Sequence, residues 1–184
     1  MKKILVVCLM AILSSVIAEE LETKLNYFVG VGIEQVKADV TASAGTVSLS
    51  DTLKDSAIKL KSGVIIDDAH RVSLSYVGHS ENSLDLDLTL LNYDYIIPLE
   101  SGFSLLIGTH IGKASYEDGL FEDTALAYGI QAGGLYDITE NVSFEAGLSY
   151  TKTSLTDTAT ISSIPVTLES DKSTALYFSF NYKF

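Results

Sequence analysis

Cysteine is almost absent from this chain of 184 residues. Its single cysteine, Cys8, lies in the N-terminal stretch MKKILVVCLMAILSSVIA. We predict that residues 1–18 are a cleaved secretory signal, because two lysines precede a short apolar run that ends on the small residue Ala18. A lipoprotein signal would need small residues before Cys8, and residues 5–7 are Leu, Val and Val. Residues 19–184 therefore have no thiol, disulfide or cysteine metal site.

Long apolar runs and positive charge are also scarce. After the signal, no stretch approaches the 18 or so consecutive apolar residues that predict a transmembrane helix. Removal of the signal would leave ten basic against 24 acidic residues, a formal charge of −14. An acidic surface repels phosphates, so the composition argues against nucleic acid as a partner.

What the chain does have is strict alternation of apolar and polar residues. The final stretch, TALYFSFNYKF, places five apolar side chains on one strand face: Leu176, Phe178, Phe180, Tyr182 and Phe184. Seven earlier segments alternate in the same way: LNYFVGVGIEQV, SAIKLKSGVII, RVSLSYVG, LDLDLTLL, FSLLIGTHIG, ALAYGIQAGGLY and VSFEAGLSY. Eight such segments without a helical stripe predict an antiparallel all-β domain over residues 19–184.

The fourth segment has the least regular pattern. We predict that its four leucines face one way, and that Asp85, Asp87 and Thr89 face the other way. Its continuation, NYDYII, fits that phase poorly, so a bulge or mixed facing is expected near Tyr93 and Tyr95.

The connections between segments alternate in length. DDAH, PLESG and DITEN are short, whereas residues 41–51 and 153–171 are long, polar stretches that we interpret as loops. Short turns at one end and longer loops at the other are typical of outer-membrane barrels. With an even number of strands, both termini would lie at the short-turn, periplasmic end.

The polar face distinguishes a membrane barrel from a soluble barrel of lipocalin type. It carries many glycines, including Gly30, Gly63, Gly108, Gly129 and Gly147. Glycine weakens strands and has no evident use on a water-facing surface. The interior of an eight-stranded barrel is narrow, and small residues fit there. The apolar face has almost no charge, and its aromatics fall near strand ends, so we predict a transmembrane barrel whose apolar face contacts lipid.

The C-terminal strand resembles the signal that the outer-membrane assembly machinery recognises, with Phe178, Phe180, Tyr182 and the final Phe184 as its residues. AYGIQAGGLYDITENVSFEAGLSY is similar to the sixth and seventh strands of small eight-stranded outer-membrane barrels of the OmpX, Ail, Opa and OmpA-barrel type. The resemblance implies an integral outer-membrane protein that meets periplasmic chaperones, outer-membrane lipid and lipopolysaccharide. With Phe184 last, we expect the barrel domain alone.

Five charged residues fall on the inward face and are predicted to form ion pairs. Glu34 and the lysines Lys59 and Lys61 lie at similar heights on the first two strands, which are hairpin neighbours. Arg71 and Glu145 lie nearer the turn end and are expected to form or join a second cluster, although their strands are not adjacent. Buried charges are costly unless they are paired.

The remaining candidate sites have simpler explanations. His79–Ser80 and His110 suggest the His–Ser pairs of lipid-modifying barrels, but neighbouring residues on a strand point apart. We therefore expect no enzyme and no cofactor. The acidic residues Asp85, Asp87 and the segment EDGLFED could bind divalent cations that bridge to lipopolysaccharide phosphates. A solvated acidic loop that aids solubility is the favoured explanation, and we predict no metal site.

Two functions are consistent with this pattern. The first is a closed barrel that displays four surface loops and acts as an adhesin-like or membrane-stabilising protein, with a host or surface ligand as its partner. The second is a narrow pore for ions or small solutes. Inward Phe28, Leu106 and Leu135, together with paired charges, favour the closed barrel.

Overall fold

The computed structural model describes the backbone of residues 23–44, 47–81, 84–118, 121–161 and 164–184. It describes the side chains of residues 23–37, 55–78, 87–115, 124–153 and 172–184. The predicted signal, residues 1–18, lies outside these ranges and stays a prediction. Within the described ranges, no helix has the length and hydropathy needed to cross a membrane.

Eight strands follow one another along the chain. They are β1 (Leu25–Ala44), β2 (Val47–Ile66), β3 (His70–Glu81), β4 (Leu84–Pro98), β5 (Phe103–Asp118), β6 (Phe121–Asp137), β7 (Val142–Ile161) and β8 (Ile164–Lys183). Each strand pairs antiparallel with the next, and β1 pairs with β8, which closes the sheet into a barrel. Closure removes every free sheet edge, so the backbone N–H and C=O groups of each strand are hydrogen-bonded to neighbouring strands and need no water. The predicted fold class, an eight-stranded antiparallel up-and-down transmembrane barrel, is confirmed.

One end of the barrel, the turn end, contains the three tight turns and the C-terminal residue. Asp67 and Asp68 have φ of 51° and 57°, the left-handed conformation that a type I′ hairpin turn requires at both central positions. Lys24 binds this turn twice: its backbone N–H donates to Asp67 Oδ1 over 3.0 Å, and its Nζ lies 2.7 Å from Asp68 Oδ2. The start of β1 is thereby attached to the turn between β2 and β3.

At the opposite end, the far end, the structure corrects the prediction of long loops. The segments predicted as loops over residues 41–51 and 153–171 continue as strands, with β1 reaching Ala44 and β7 reaching Ile161. These segments are rich in Thr, Val and Ser, which suit strands. Their apolar residues fall on alternate positions, as Leu155, Ala159 and Ile161 do on β7. The high content of Thr, Ser and Asp nevertheless makes these strands resemble polar loops in the sequence.

The outer face of the barrel is apolar and the inner face is polar. Val31 and Ile33 on β1 are more than half exposed, as are Ile130 on β6 and Phe180 on β8. The buried polar side chains include glutamate, lysine, arginine, asparagine and glutamine. A soluble barrel would show the reverse arrangement. The lipid-facing apolar surface inferred from the sequence is therefore the outer surface of the fold.

The facing of β4 differs from the prediction. Leu90 is 4% exposed and Leu88 packs against the same buried cluster, so these leucines face inward. Asp87 instead accepts a hydrogen bond from Tyr76. Tyr76 lies between the buried residues Ser75 and Val77 on β3 and so faces outward, and Asp87 faces outward with it. No bulge interrupts the register of β4 in the described residues, and Tyr93 and Tyr95 face outward with it.

Candidate functional site: an ion network across the barrel interior

Arg71 on β3 is the centre of the charged interior and is 1% exposed. Its Nε donates to Asp94 Oδ2 on β4 over 2.9 Å. Its two terminal nitrogens donate to the two oxygens of Glu145 on β7, over 2.7 and 3.0 Å. Such two-pronged guanidinium–carboxylate contacts are among the strongest hydrogen bonds in proteins. Arg71 therefore links β3 and β4 to the opposite wall of the barrel.

Glu145 also receives hydrogen bonds from two other strands. Lys61 Nζ on β2 donates to Glu145 Oε1 over 2.9 Å, and Asn181 Nδ2 on β8 donates to Oε2 over 3.2 Å. Asp94 accepts a further hydrogen bond from Gln131 on β6. We call these six residues the cross-lumen network: Lys61, Arg71, Asp94, Gln131, Glu145 and Asn181. Together they connect six of the eight strands.

Glu34 and Lys59 form a separate contact, which we call the adjacent-strand pair. Lys59 Nζ on β2 lies 2.7 Å from Glu34 Oε2 on β1, and both side chains are buried. The ring of Tyr177 on β8 lies beneath both interior lysines, 4.4 Å from Lys59 Nζ and 5.5 Å from Lys61 Nζ. This aromatic face joins the pair to the network by cation–π contacts. Gly147 makes room for the ring, because a Cβ there would collide with the Tyr177 hydroxyl group.

The structure differs from the expected pairing of Lys61. The sequence predicts that Lys61 pairs with Glu34, whereas Lys61 binds Glu145. In the β1–β2 register, Glu34 lies opposite Ala57, so Lys59 is two residues away and Lys61 is four. Lys61 therefore extends across the narrow lumen to β7. The network also includes Asp94, Gln131 and Asn181, and Tyr177 lies beside it. None of these four residues is among the ion-pair residues predicted from the sequence.

One signal in the sequence could have identified Asp94. Arg71 lies directly opposite Asp94 in the β3–β4 register. An inward arginine needs a carboxylate partner, and the stretch NYDY supplies one if Tyr93 and Tyr95 face lipid. The alternation of the four leucines suggested the opposite phase.

The buried charges of the described residues balance. Three cations, Lys59, Lys61 and Arg71, face three carboxylates, Glu34, Asp94 and Glu145. Removal of one partner of a buried ion pair typically costs about 3–5 kcal/mol, because the other charge is left in a poorly solvating interior. Each of these groups thus depends on its partner.

Two apolar clusters lie inside the barrel on either side of the network. Nearer the turn end, five buried side chains pack together and form what we call the apolar layer: Phe28, Ile65, Ile96, Leu106 and Leu135. Arg71 lies over the ring of Phe28, with 5.5 Å between the guanidinium carbon and the ring centroid. Further along, Leu90, Ala114 and Ala127 form a second cluster. Their positions place the charged residues between two apolar clusters.

The remaining candidates from the sequence are the histidines considered for catalysis and the acidic residues considered for metal binding. His110 is buried, and its Nε2 lies 2.9 Å from Thr151 Oγ1. The side chains of His79, Ser80 and Asp85 and of the segment EDGLFED lie outside the described residues. Among the described residues, no group of three or more His, Cys, Asp or Glu is arranged to bind a metal ion.

Three of the predicted assembly residues, Phe178, Phe180 and Tyr182, are on the outer face of β8, and Phe184 directly follows this strand. All four are between 37% and 64% exposed. The ring of Phe144 on β7 contacts Phe178 and Phe180, with centroids 6.3 and 5.3 Å apart. The backbone N–H of Phe184 donates to the carbonyl oxygen of Tyr27 on β1 over 3.0 Å. The hydrogen bond of Phe184 lies at the β1–β8 seam that closes the barrel. The role of the four aromatics in assembly stays a prediction.

Solved outer-membrane barrels share this architecture. OprG from Pseudomonas aeruginosa is 15% identical, with a TM-score of 0.63, and the match covers 86% of this chain and 95% of that chain. OprH from P. aeruginosa is 21% identical, with a TM-score of 0.60 and coverage of 86% and 99%. Neisserial surface protein A is 19% identical, with a TM-score of 0.59 and coverage of 86% and 97%.

No protein-family model matches the chain, and no curated protein matches it in sequence. At the identities of the solved structures, the similarity concerns the fold. The predicted resemblance is confirmed at that level: the chain has the fold of the small eight-stranded outer-membrane β-barrel proteins.

Proposed function

We propose that this protein is a non-enzymatic outer-membrane barrel with a closed interior, acting as a structural or surface-interaction protein. The observation that carries the proposal is the cross-lumen network. Arg71 and Glu145 meet between opposite walls, and both are essentially inaccessible to solvent. A solute path would have to pass through this contact and through the apolar layer next to it. The proposal includes export by the predicted signal and insertion by the outer-membrane assembly machinery.

The length of the strands supports a role at the cell surface. β1, β2, β7 and β8 are each 20 residues long, whereas about 9–11 residues of a tilted strand cross a bilayer. About ten residues of each strand therefore extend beyond the membrane at the far end. Because the chain termini lie at the periplasmic end, these extensions are exposed to the outside. They form two hairpins, β1–β2 and β7–β8, which take the place of the first and last of the four predicted loops in the interaction surface. One of the similar structures is itself called a surface protein.

A narrow pore is the second candidate, and one observation favours it. Among the described residues, five buried polar atoms have no hydrogen-bond partner: Ser73 Oγ, His110 Nδ1, Tyr177 Oη, Ser179 Oγ and Asn181 Oδ1. Buried polar atoms usually bind a protein group or an ordered water. A chain of waters along these atoms would be the path of such a pore, provided that the network rearranged.

Conductance recording separates the two candidates. We expect the refolded protein, residues 19–184, to give no stable unitary current steps in a planar lipid bilayer. An Arg71→Ser, Glu145→Ser variant, which shortens both side chains that meet across the lumen, should conduct more often than wild type. The matched control is Glu34→Ser, Lys59→Ser, which removes a pair along one wall. Stable unitary steps from the wild-type protein would contradict the closed barrel.

A further inference from the structure

Two strands have no turn that connects them to a neighbour at the turn end of the barrel. The other six strands are joined there by the turns β2–β3, β4–β5 and β6–β7. β1 begins and β8 ends at this level, and the two meet through the ladder of the β1–β8 seam. Chain ends of this kind fray unless other contacts hold them.

The start of β1 is fastened to the turn between β2 and β3. The backbone N–H of Lys24 donates to Asp67 Oδ1 over 3.0 Å, and the backbone N–H of Asp67 donates back to the carbonyl oxygen of Lys24 over 2.9 Å. Asn26 Nδ2 donates to Asp68 Oδ1 over 3.0 Å, and Lys24 Nζ pairs with the same carboxylate. We call these contacts of Lys24 and Asn26 with Asp67 and Asp68 the β1 clasp.

The end of β8 is fastened to the turn between β6 and β7 in a similar way. The backbone N–H of Lys183 donates to the carbonyl oxygen of Asn141 over 2.7 Å, and Asn141 Nδ2 donates back to the carbonyl oxygen of Lys183 over 2.9 Å. Lys183 Nζ lies 2.8 Å from Asp137 Oδ1. We call these contacts of Lys183 with Asp137 and Asn141 the β8 clasp.

The two clasps have the same composition on the two sides of the seam. Each combines reciprocal hydrogen bonds with the side-chain amide of an asparagine and a Lys–Asp ion pair. Both ion pairs are at least partly exposed, and exposed ion pairs contribute little to stability. The hydrogen bonds therefore provide most of the attachment.

One hydrogen bond of the seam lies between the two clasps. The backbone N–H of Phe184 donates to the carbonyl oxygen of Tyr27 over 3.0 Å. Phe184 directly follows Lys183 of the β8 clasp, and Tyr27 directly follows Asn26 of the β1 clasp. Each clasp thus holds one partner of this bond, and the release of either clasp frees one of the two strand ends.

We propose that the two clasps hold the β1–β8 seam shut at the turn end, as the non-covalent counterpart of a fourth turn. An open seam would present unpaired backbone groups on both β1 and β8, and such edges pair readily with other chains. The clasps therefore protect the folded barrel from strand exchange at its closing ladder. This inference does not depend on the surface role proposed above.

The test is amide hydrogen exchange of the refolded protein, residues 19–184, in detergent micelles, followed by NMR at the amide of Phe184. Asn141→Ala removes a hydrogen bond of the β8 clasp, and Asn26→Ala removes one of the β1 clasp. A typical hydrogen bond changes an opening equilibrium about fivefold. We therefore expect the Phe184 amide to exchange about fivefold faster in each variant than in wild type.

The chain supplies a matched control and a reference amide. Glu140 lies beside Asn141 in the same turn, is exposed, and makes no hydrogen bond or ion pair within the described part of the chain. Glu140→Ala should therefore leave Phe184 exchange within about twofold of wild type. The reference is the amide of Leu99, which donates to the carbonyl oxygen of Phe103 over 2.8 Å in the β4–β5 turn, away from the seam. Its exchange rate should stay the same in every variant.

Three results would overturn the inference. The first is Phe184 exchange within about twofold of wild type in both clasp variants. The second is an equal acceleration in Glu140→Ala, and the third is an equal acceleration at Leu99, which would mean that the substitutions loosen the whole barrel. Heat-modifiable mobility checks folding, and Asn141→Ser and Asn26→Ser serve if the alanine variants do not fold. Conductance of the wild type would overturn the closed barrel without bearing on the clasps.

Discussion

The cross-lumen network and the adjacent-strand pair use the same chemistry in different geometry. Glu34 and Lys59 come from hairpin neighbours, which the backbone ladder already holds together. Arg71 and Glu145 come from β3 and β7, which share no ladder. The first contact therefore mainly neutralises two buried charges along one wall, whereas the second also ties opposite walls. The comparison shows that the contribution of an ion pair in a barrel depends on whether its two strands already share a backbone ladder.

The largest expected effect is that of Glu145→Ala. The substitution leaves Arg71 with only Asp94 and leaves Lys61 without its carboxylate, so two buried cations lose a partner. We expect the free energy of unfolding to fall by about 3–5 kcal/mol. This free energy is measured by urea titration of the protein in lipid vesicles, with circular dichroism as the signal. Glu145→Gln is the control, because it keeps the shape of the side chain and removes its charge. A loss below about 1 kcal/mol for Glu145→Ala would mean that the network does not hold the barrel.

A smaller effect is expected from the adjacent-strand pair. Glu34→Ala should lower the free energy of unfolding by about 1.5–3 kcal/mol, the value of a hydrogen bond to a charged group, since Lys59 keeps its contact with the Tyr177 ring. In double-mutant cycles, Glu34 should couple to Lys59 by more than about 0.5 kcal/mol and to Lys61 by less. The cycles are measured by the same urea titration. Strict additivity with Lys59, or stronger coupling to Lys61, would contradict the pairing in the structure.

The smallest effect on stability, and a large effect on assembly, is expected for Phe184→Asp. The side chain is exposed at the end of β8, and the backbone hydrogen bond to Tyr27 is kept, so the free energy of unfolding should change by less than about 1 kcal/mol. In cells, signal cleavage should proceed but the amount of heat-modifiable barrel in the outer membrane should fall severalfold. Ile138→Asp, at another exposed apolar position of the turn end, is the control. Normal abundance of the Phe184→Asp protein would exclude an assembly role for this residue.

The sequence by itself determined the strand count, the antiparallel order and the facing of seven strands. These properties follow from the alternation of side chains along a strand, which is set by neighbouring residues alone. Once the apolar neighbours face lipid, the charged residues must face inward: Glu34, Lys59, Arg71 and Glu145. The narrow lumen was also readable, because glycines such as Gly147 accompany the inward polar residues.

Only the tertiary structure decided which inward charges meet. Lys61 reaches Glu145 because closure brings β2 near β7, a relation that depends on how β1 and β8 align. The facing of β4 also depends on a contact between strands. The buried ion pair of Asp94 with Arg71 stabilises the facing in which Asp94 and Leu90 both point into the barrel. The long extensions of β1 and β7 are difficult to recognise for another reason. Apolar residues still alternate there, as Leu155, Ala159 and Ile161 do, but the many Thr, Ser and Asp residues between them also suit polar loops, so local sequence does not separate the two.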